Sequence, residues 1–385
     1  MRNCVIIIAL SVVMLASCQK TMQMSIEVSN PSDVVHENST VEVAWTALVA
    51  KMRDADPSKL IVTDADDVEY VHQIIYYGAQ TPQALIFQIT LAPRETAKFF
   101  ISEGKPQHEA VSKTFGRFVP ERKDDFAWEN DRVVFRMYGP ALADEYPSNG
   151  VDLWLKKTEK LIVDQFYNDD LNNAKSYHVD HGEGLDCYKV GHALGCGGIA
   201  PFVNDTLWVG NHYVTQEVWD NGPLRTTFRL TYDNLPVGKQ IYSQEIIISL
   251  DAGSQLNKAV VAFDGDFNEI EIAAGIFLHD DPGNIKNDVA AGFNAFGETA
   301  TSDAGEPAGR NYVATIIPDG KMRESREQQE HWLAIAPYVK GEKFTYYFGG
   351  GWNQWGFETD DEWFNYVAQF AEKLKNPLTV NVISD

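Results

Sequence analysis

Gln240-Ile-Tyr-Ser-Gln-Glu-Ile-Ile-Ile-Ser-Leu250 is rich in β-branched and aromatic residues, and its apolar side chains recur with the two-residue period of a strand. Three comparable runs flank it: Gly222-Pro-Leu-Arg-Thr-Thr-Phe-Arg-Leu-Thr-Tyr232, Leu256-Asn-Lys-Ala-Val-Val-Ala-Phe263 and Ile270-Glu-Ile-Ala-Ala-Gly-Ile-Phe-Leu-His279. Turns of Asp, Asn, Pro and Gly separate them, so the four are predicted to form a large antiparallel sheet.

Upstream, the same period recurs from Met24, through Thr40–Trp45 and Leu60–Thr63, to Ala84–Leu91 and Ala97–Ile101, which predicts a small N-terminal β layer. Downstream, Tyr312–Ile317, Trp332–Ala336 and Thr345–Phe348 resume the sheet, while residues 280–310, rich in Gly, Ala and Asn, are expected to loop over an open face. Helical spacing appears at Val151–Tyr167 and at Glu358–Leu374, where Thr359 caps, acids fill the first turn and lysines follow near the end. The expected class is therefore mainly β, with few helices. Residues 24–120 form the N-terminal layer and residues 121–385 the main β region, packed as one unit.

The chain opens with a charged start, a short apolar run and Leu15-Ala-Ser-Cys18, which reads as a secretory signal over residues 1–17. Its last four residues resemble a bacterial lipobox, which implies lipidation of Cys18, a tether over residues 18–23 and an anchored place in the bacterial cell envelope, periplasmic or at the surface. A net charge of −23 and a pI of about 4.7 speak against a nucleic-acid partner, which needs a basic face. Oligomeric state is not readable.

The chemistry concentrates in Ser176-Tyr-His-Val-Asp-His-Gly-Glu-Gly-Leu-Asp-Cys-Tyr-Lys-Val-Gly-His-Ala-Leu-Gly-Cys-Gly-Gly198. Neither a helix nor a core strand tolerates so many glycines among titratable groups, so this is read as active-site loop. Cys187 and Cys196, nine apart, can be a disulfide, two thiols or, with His178 and His181, a zinc site, although diagnostic metal spacing is absent. No cofactor is expected, and a divalent ion is only weakly signalled. Val133-Val-Phe-Arg-Met-Tyr138 puts Arg136 and Tyr138 on one strand face, next to the aromatic and acidic Asp125-Phe-Ala-Trp-Glu-Asn-Asp131. That face suits either a sugar platform or an arginine paired with nearby acids.

Asp125–Asp131 with Phe135–Pro140, Tyr177–Asp186 with Gly195–Gly198, and Tyr346-Tyr-Phe-Gly-Gly-Gly-Trp-Asn353 together resemble an uncharacterised-domain family of secreted bacterial proteins encoded in polysaccharide-utilisation loci. The resemblance implies a galactose-mutarotase-like β-supersandwich and a carbohydrate substrate, with uronic-acid oligosaccharides as a candidate. On such a substrate, β-elimination needs a group that neutralises the carboxylate, a base for the C5 proton and an acid for the leaving oxygen. The candidates are Arg136, Arg225 and Lys189 for the carboxylate, His178 or His181 as base, and Tyr138 or Tyr188 as acid. Trp128, Trp352 and His279 complete the expected substrate contacts. Glycoside hydrolysis by paired carboxylates among Asp180, Glu183 and Asp186 is the second reading, and a non-catalytic glycan-binding lipoprotein the third.

Overall fold

The computed structural model describes residues 23–145, 147–281 and 283–383. The signal and lipidation expectations, Cys18 included, lie outside the described residues. Among those described, no helix is long and apolar enough to cross a membrane.

Antiparallel pairing dominates throughout, and the largest sheet has eight strands. Its spatial order is Thr215–Asp220, Arg225–Val237, Gln240–Asp251, Leu256–Asp264, Phe344–Trp352, Pro307–Ile316, Phe293–Thr301 and Asn284–Asp288. The alternation in Gln240–Asp251 sends Tyr242, Ile246, Ile248 and Leu250 inward. There they meet Phe228, Leu230, Val261, Phe263, Tyr346 and Phe348 from neighbouring strands. Two smaller sheets close over this inner face. One runs Gly184–Asp186, Asp152–Lys156, Val134–Met137, Asp125–Asn130 and Thr114–Val119, and contributes Phe126, Trp128 and Phe135 to the shared core. The other runs Cys196–Phe202, Glu269–Phe277, His331–Val339 and Glu324–Gln328, and contributes Ile272, Ala274, Ala334 and Tyr338. The result is a mainly β antiparallel sandwich with few helices, as the sequence predicts.

Three local readings need correction. Glu269–Phe277 does not extend the large sheet but crosses to the opposing one, between Cys196–Phe202 and His331–Val339. Its run of Ile272 to Ile276 is buried on both faces, so period alone could not say which sheet it joins. Residues 280–310 are largely strand, because small side chains such as Ala295, Gly297 and Ala300 let that sheet pack closely on either side. The helix expected over Val151–Tyr167 splits: Asp152–Lys156 is a strand with Asp152, Trp154 and Lys156 on one face, and the helix α2 spans only Val163–Leu171. A short helix α1, Trp45–Lys51, was not anticipated. The terminal helix α3, Asp360–Lys375, stands where its signals put it, with Thr359 and Glu362 forming a reciprocal capping box.

The N-terminal strands build a sandwich of their own, with Ile26, Val28, Leu48, Phe87, Phe99 and Ile101 in its core. Thr379–Val382, from the far end of the chain, pairs with Gln23–Ser29 in this layer. Arg225 ties the layer to the large sheet. Its guanidinium donates to both oxygens of Asp251 (2.5 and 2.9 Å), to Glu42 (3.0 Å) and to the Tyr77 hydroxyl (2.8 Å), while Thr40 donates to Asp251 (2.7 Å). Removing Arg225 leaves the partly buried Asp251 without its cation and breaks four charge-assisted hydrogen bonds. Arg225→Ala is therefore expected to lower unfolding free energy by about 1.5–3 kcal/mol in denaturant titration; an unchanged midpoint would mean that the two layers are held by apolar contacts alone.

Candidate functional site

Register places one row of charges across the five-stranded sheet. Arg136 lies opposite Asp152, Asp186 opposite Trp154, and Glu129 opposite Val134. With Asp125, Tyr138 and Lys156, these residues share the face turned away from the main core. Helix α2 and the central loop cover that face. Val119, Trp154, Ile162, Phe166, Tyr167 and Tyr177 form the apolar frame around it.

Within this frame a single guanidinium nitrogen of Arg136 serves two carboxylates, Asp152 at 2.6 Å and Asp186 at 2.7 Å. The arginine is 2% exposed and the two acids 0% and 1%. Asp125 accepts from the Tyr167 hydroxyl (3.2 Å), with Arg122 at 3.5 Å, and burial pushes its carboxyl up to about 6. Burial and the neighbouring Asp152 hold the Asp186 carboxyl well above the usual carboxylate range. On the same face Glu129 accepts from Lys156 (2.8 Å) and from the amides of Ile162 (2.9 Å) and Val163 (2.7 Å). Those amides open α2, which lacks a side-chain cap of its own, so a carboxylate from the sheet does the capping.

The central loop is docked by its glycines. Gly184 (φ +131°) and Gly195 (φ +62°) lie so close to the backbone of the strand beneath that a Cβ would sit 2.1 Å from the carbonyl oxygens of Leu155 and Val151 respectively. This brings His178 to the rim of the ionic centre. Its Nδ1 lies 3.0 Å from the Asp186 carbonyl oxygen, 3.4 Å from the Asp303 carboxylate and 3.7 Å from that of Asp186. Nδ1–H donating to that carbonyl leaves the lone pair of the neutral ring on Nε2. His181 is exposed, with its Nε2 3.2 Å from the Ser176 carbonyl oxygen of its own loop. Lys189 is exposed on the same loop, and Lys157, paired with Asp180, lies 5.4 Å above the Trp352 ring.

On the other side of the loop His279 bridges two acceptors, Glu298 Oε1 on Nδ1 and the Lys189 carbonyl on Nε2, each at 2.7 Å. The Tyr188 ring stands edge-on to it at 5.1 Å.

Several expected site residues are placed elsewhere by packing. Arg136 is the sealed centre of the ionic cluster rather than a substrate clamp, because α2 and the loop close its face. Trp128 is fully buried, donating to Asn257 (2.7 Å), and Trp352 is 2% exposed, donating to the Ala308 carbonyl (2.6 Å), so neither ring is a platform. Arg225 belongs to the interlayer tie. Tyr188 is buried and Tyr138 lies beneath the guanidinium of Arg136 at 5.0 Å; burial pushes both phenols up, which disfavours release of their protons. Cys187 and Cys196 are buried free thiols, with burial raising Cys187 to about 12, and neither has the exposed electropositive setting of a reactive cysteine. Asp152, Asp303 and Glu298 were not singled out from the sequence. Asp152 and Lys156 bracket an apolar triplet whose spacing also suits a helix, whereas Asp303 lies in an ordinary turn. Among the described residues no group of His, Cys, Asp and Glu is arranged to hold a metal ion.

The class defined by these features is a β-sandwich protein with a sealed ionic centre and a histidine at its rim. The chain belongs to the family described as "Domain of unknown function (DUF4861)", whose model matches residues 28–380. It is 33% identical over 318 residues to "Uncharacterized protein P7" of Formosa agariphila, covering 78% of each chain. In fold it is similar to a protein in glycosyl hydrolase family 38 from Enterococcus faecalis, at TM-score 0.53 and 10% identity, over 94% of this chain and 48% of that one. It thus spans about half the length of that solved structure.

If Arg136 holds sheet, helix and loop together, Arg136→Met should lower stability by about 3–5 kcal/mol, and Asp186→Asn should cost less, because Asp152 still pairs with the same guanidinium nitrogen. Thermal unfolding of the two variants gives the ordering; equal losses would contradict it.

Proposed function

We propose that this chain is a carbohydrate-active enzyme of the bacterial cell envelope, anchored through Cys18, that cleaves uronic-acid oligosaccharides by β-elimination. The observation that carries this reading is His178: a half-buried imidazole whose Nδ1 lies 3.0 Å from the Asp186 carbonyl oxygen and 3.4 Å from the Asp303 carboxylate, which leaves Nε2 available as a base. The sandwich fold shared with a glycosyl hydrolase family 38 protein and the sequence motifs quoted above support a glycan as the substrate.

In the proposed step Nε2 of His178 removes the C5 proton, the electron pair forms the C4=C5 bond, and the C4–O bond breaks. The leaving oxygen takes its proton back from the imidazolium, held between Asp303 and the Asp186 carbonyl. The exposed ammonium of Lys189 offsets the substrate carboxylate and makes the C5 proton more acidic. Tyr188 is too deeply buried to serve as the acid, and loss of surrounding water together with the Asp152 carboxylate disfavours release of the Tyr138 proton. A sugar as leaving group makes the protein a lyase, and water makes it a dehydratase.

The test is ultraviolet absorbance of the unsaturated uronate during incubation with a panel of uronic-acid oligosaccharides. Wild type is expected to produce the signal, and His178→Ala to lose about 10²–10⁴-fold in rate, the usual worth of a positioned base. Flat absorbance with new reducing ends would replace elimination by hydrolysis, and binding without either product would leave a glycan-binding protein.

A further inference from the structure

Both ring nitrogens of His279 lie 2.7 Å from an oxygen. One acceptor is a carbonyl and the other, Glu298 Oε1, also accepts from the Asn311 amide at 3.1 Å. A carbonyl and an ionised carboxylate have no proton to give, so with Glu298 ionised both bonds form together only when the ring carries two. Glu298 is 1% exposed, anchored in the strand Phe293–Thr301, whereas Lys189 belongs to the central loop that also bears His178. The imidazolium is thus a clamp between a rigid strand and the site loop.

We propose that His279 is a positioning residue: as an imidazolium it pins the Lys189 backbone to Glu298, and loss of its proton frees that part of the loop. The assignment rests on the site proposed above, but its geometry is independent of the reaction. The groups facing the ring are Glu298 from its strand, with Asn311 behind it from Pro307–Ile316, and Tyr188 and Lys189 from the loop. On its own segment, Phe277 stands edge-on at 4.9 Å, and Asp281 is occupied by the Thr299 amide at 2.9 Å. Burial alone pushes the ring's pKa down, and the Lys189 ammonium acts in the same direction. The hydrogen bond and charge of Glu298, with the Lys189 carbonyl, carry it above its ordinary value. For a group raised in the folded state, the contribution is complete below the unfolded value, about 6.5, and is lost as pH rises through the higher folded value.

Amide hydrogen exchange across residues 184–192, corrected for the intrinsic pH dependence of exchange, reads the clamp directly. In wild type, protection is expected to be constant below the ordinary histidine range and to fall tenfold or more above it. His279→Gln and Glu298→Gln should sit at the high-pH level throughout. pH-independent protection in wild type, or variants that exchange like wild type, would overturn the proposal. Long-range proton–nitrogen spectra of wild type supply a check that needs no variant to fold: two ring N–H groups on His279 near neutral pH are expected, and a single one refutes the clamp. Where elimination is observed, kcat should fall over the same pH interval as protection. A protection step without any turnover would defeat the reaction proposed above and leave the clamp standing.

Discussion

One guanidinium nitrogen shared by Asp152 and Asp186 is the contact on which the rest is arranged. Burying an arginine with carboxylates costs several kcal/mol per ion, and only close geometry with all partners in place offsets it. Here the partners come from three adjacent strands, and the seal comes from α2 and the loop. The centre therefore contributes favourably only when strand register, helix and loop are all correct. An apolar row would be more forgiving of a slip. The chain has traded that latitude for a loop that can sit in one place.

The five-stranded sheet consequently has two unlike faces. One, with Phe126, Trp128 and Phe135, belongs to the common apolar core of the sandwich. The other carries Asp125, Glu129, Arg136, Asp152, Lys156 and Asp186, and uses Glu129 to start the helix that covers it. A strand buried on both faces normally reads as a continuous apolar run. These strands are buried on both faces yet read as alternating, because one of the faces is satisfied by ions. That explains why Arg136 and Tyr138 read in the sequence as either a sugar platform or an arginine paired with nearby acids, the second of which is the pairing found.

Much of the architecture was legible. The period-two runs at Gln240–Asp251 and its neighbours, and the capping signals of α3, depend on nearby residues only and stand as read. Assignment of Glu269–Phe277 to the wrong sheet, and of residues 280–310 to loop, failed where small residues are packed by distant partners. The central loop stood out because glycines and titratable groups are crowded into one stretch, and the structure does place His178, Lys189 and the His279 contact around it. Asp303 and Glu298 were illegible: each is an isolated acid in sequence, and each acquires meaning only through the fold, Asp303 beside His178 of the distant central loop and Glu298 beside His279. The trio Asp152, Trp154 and Lys156 was hidden by an apolar spacing compatible with a helix.

The pairing of Thr379–Val382 with Gln23–Ser29 has a consequence for biosynthesis. Until residues 379–382 emerge, the strand that buries Met24, Ile26 and Val28 lacks its outer neighbour and presents unpaired backbone along an apolar ribbon. Such an edge invites pairing with another nascent chain. The N-terminal layer is thus completed only by a strand from the other end of the described residues.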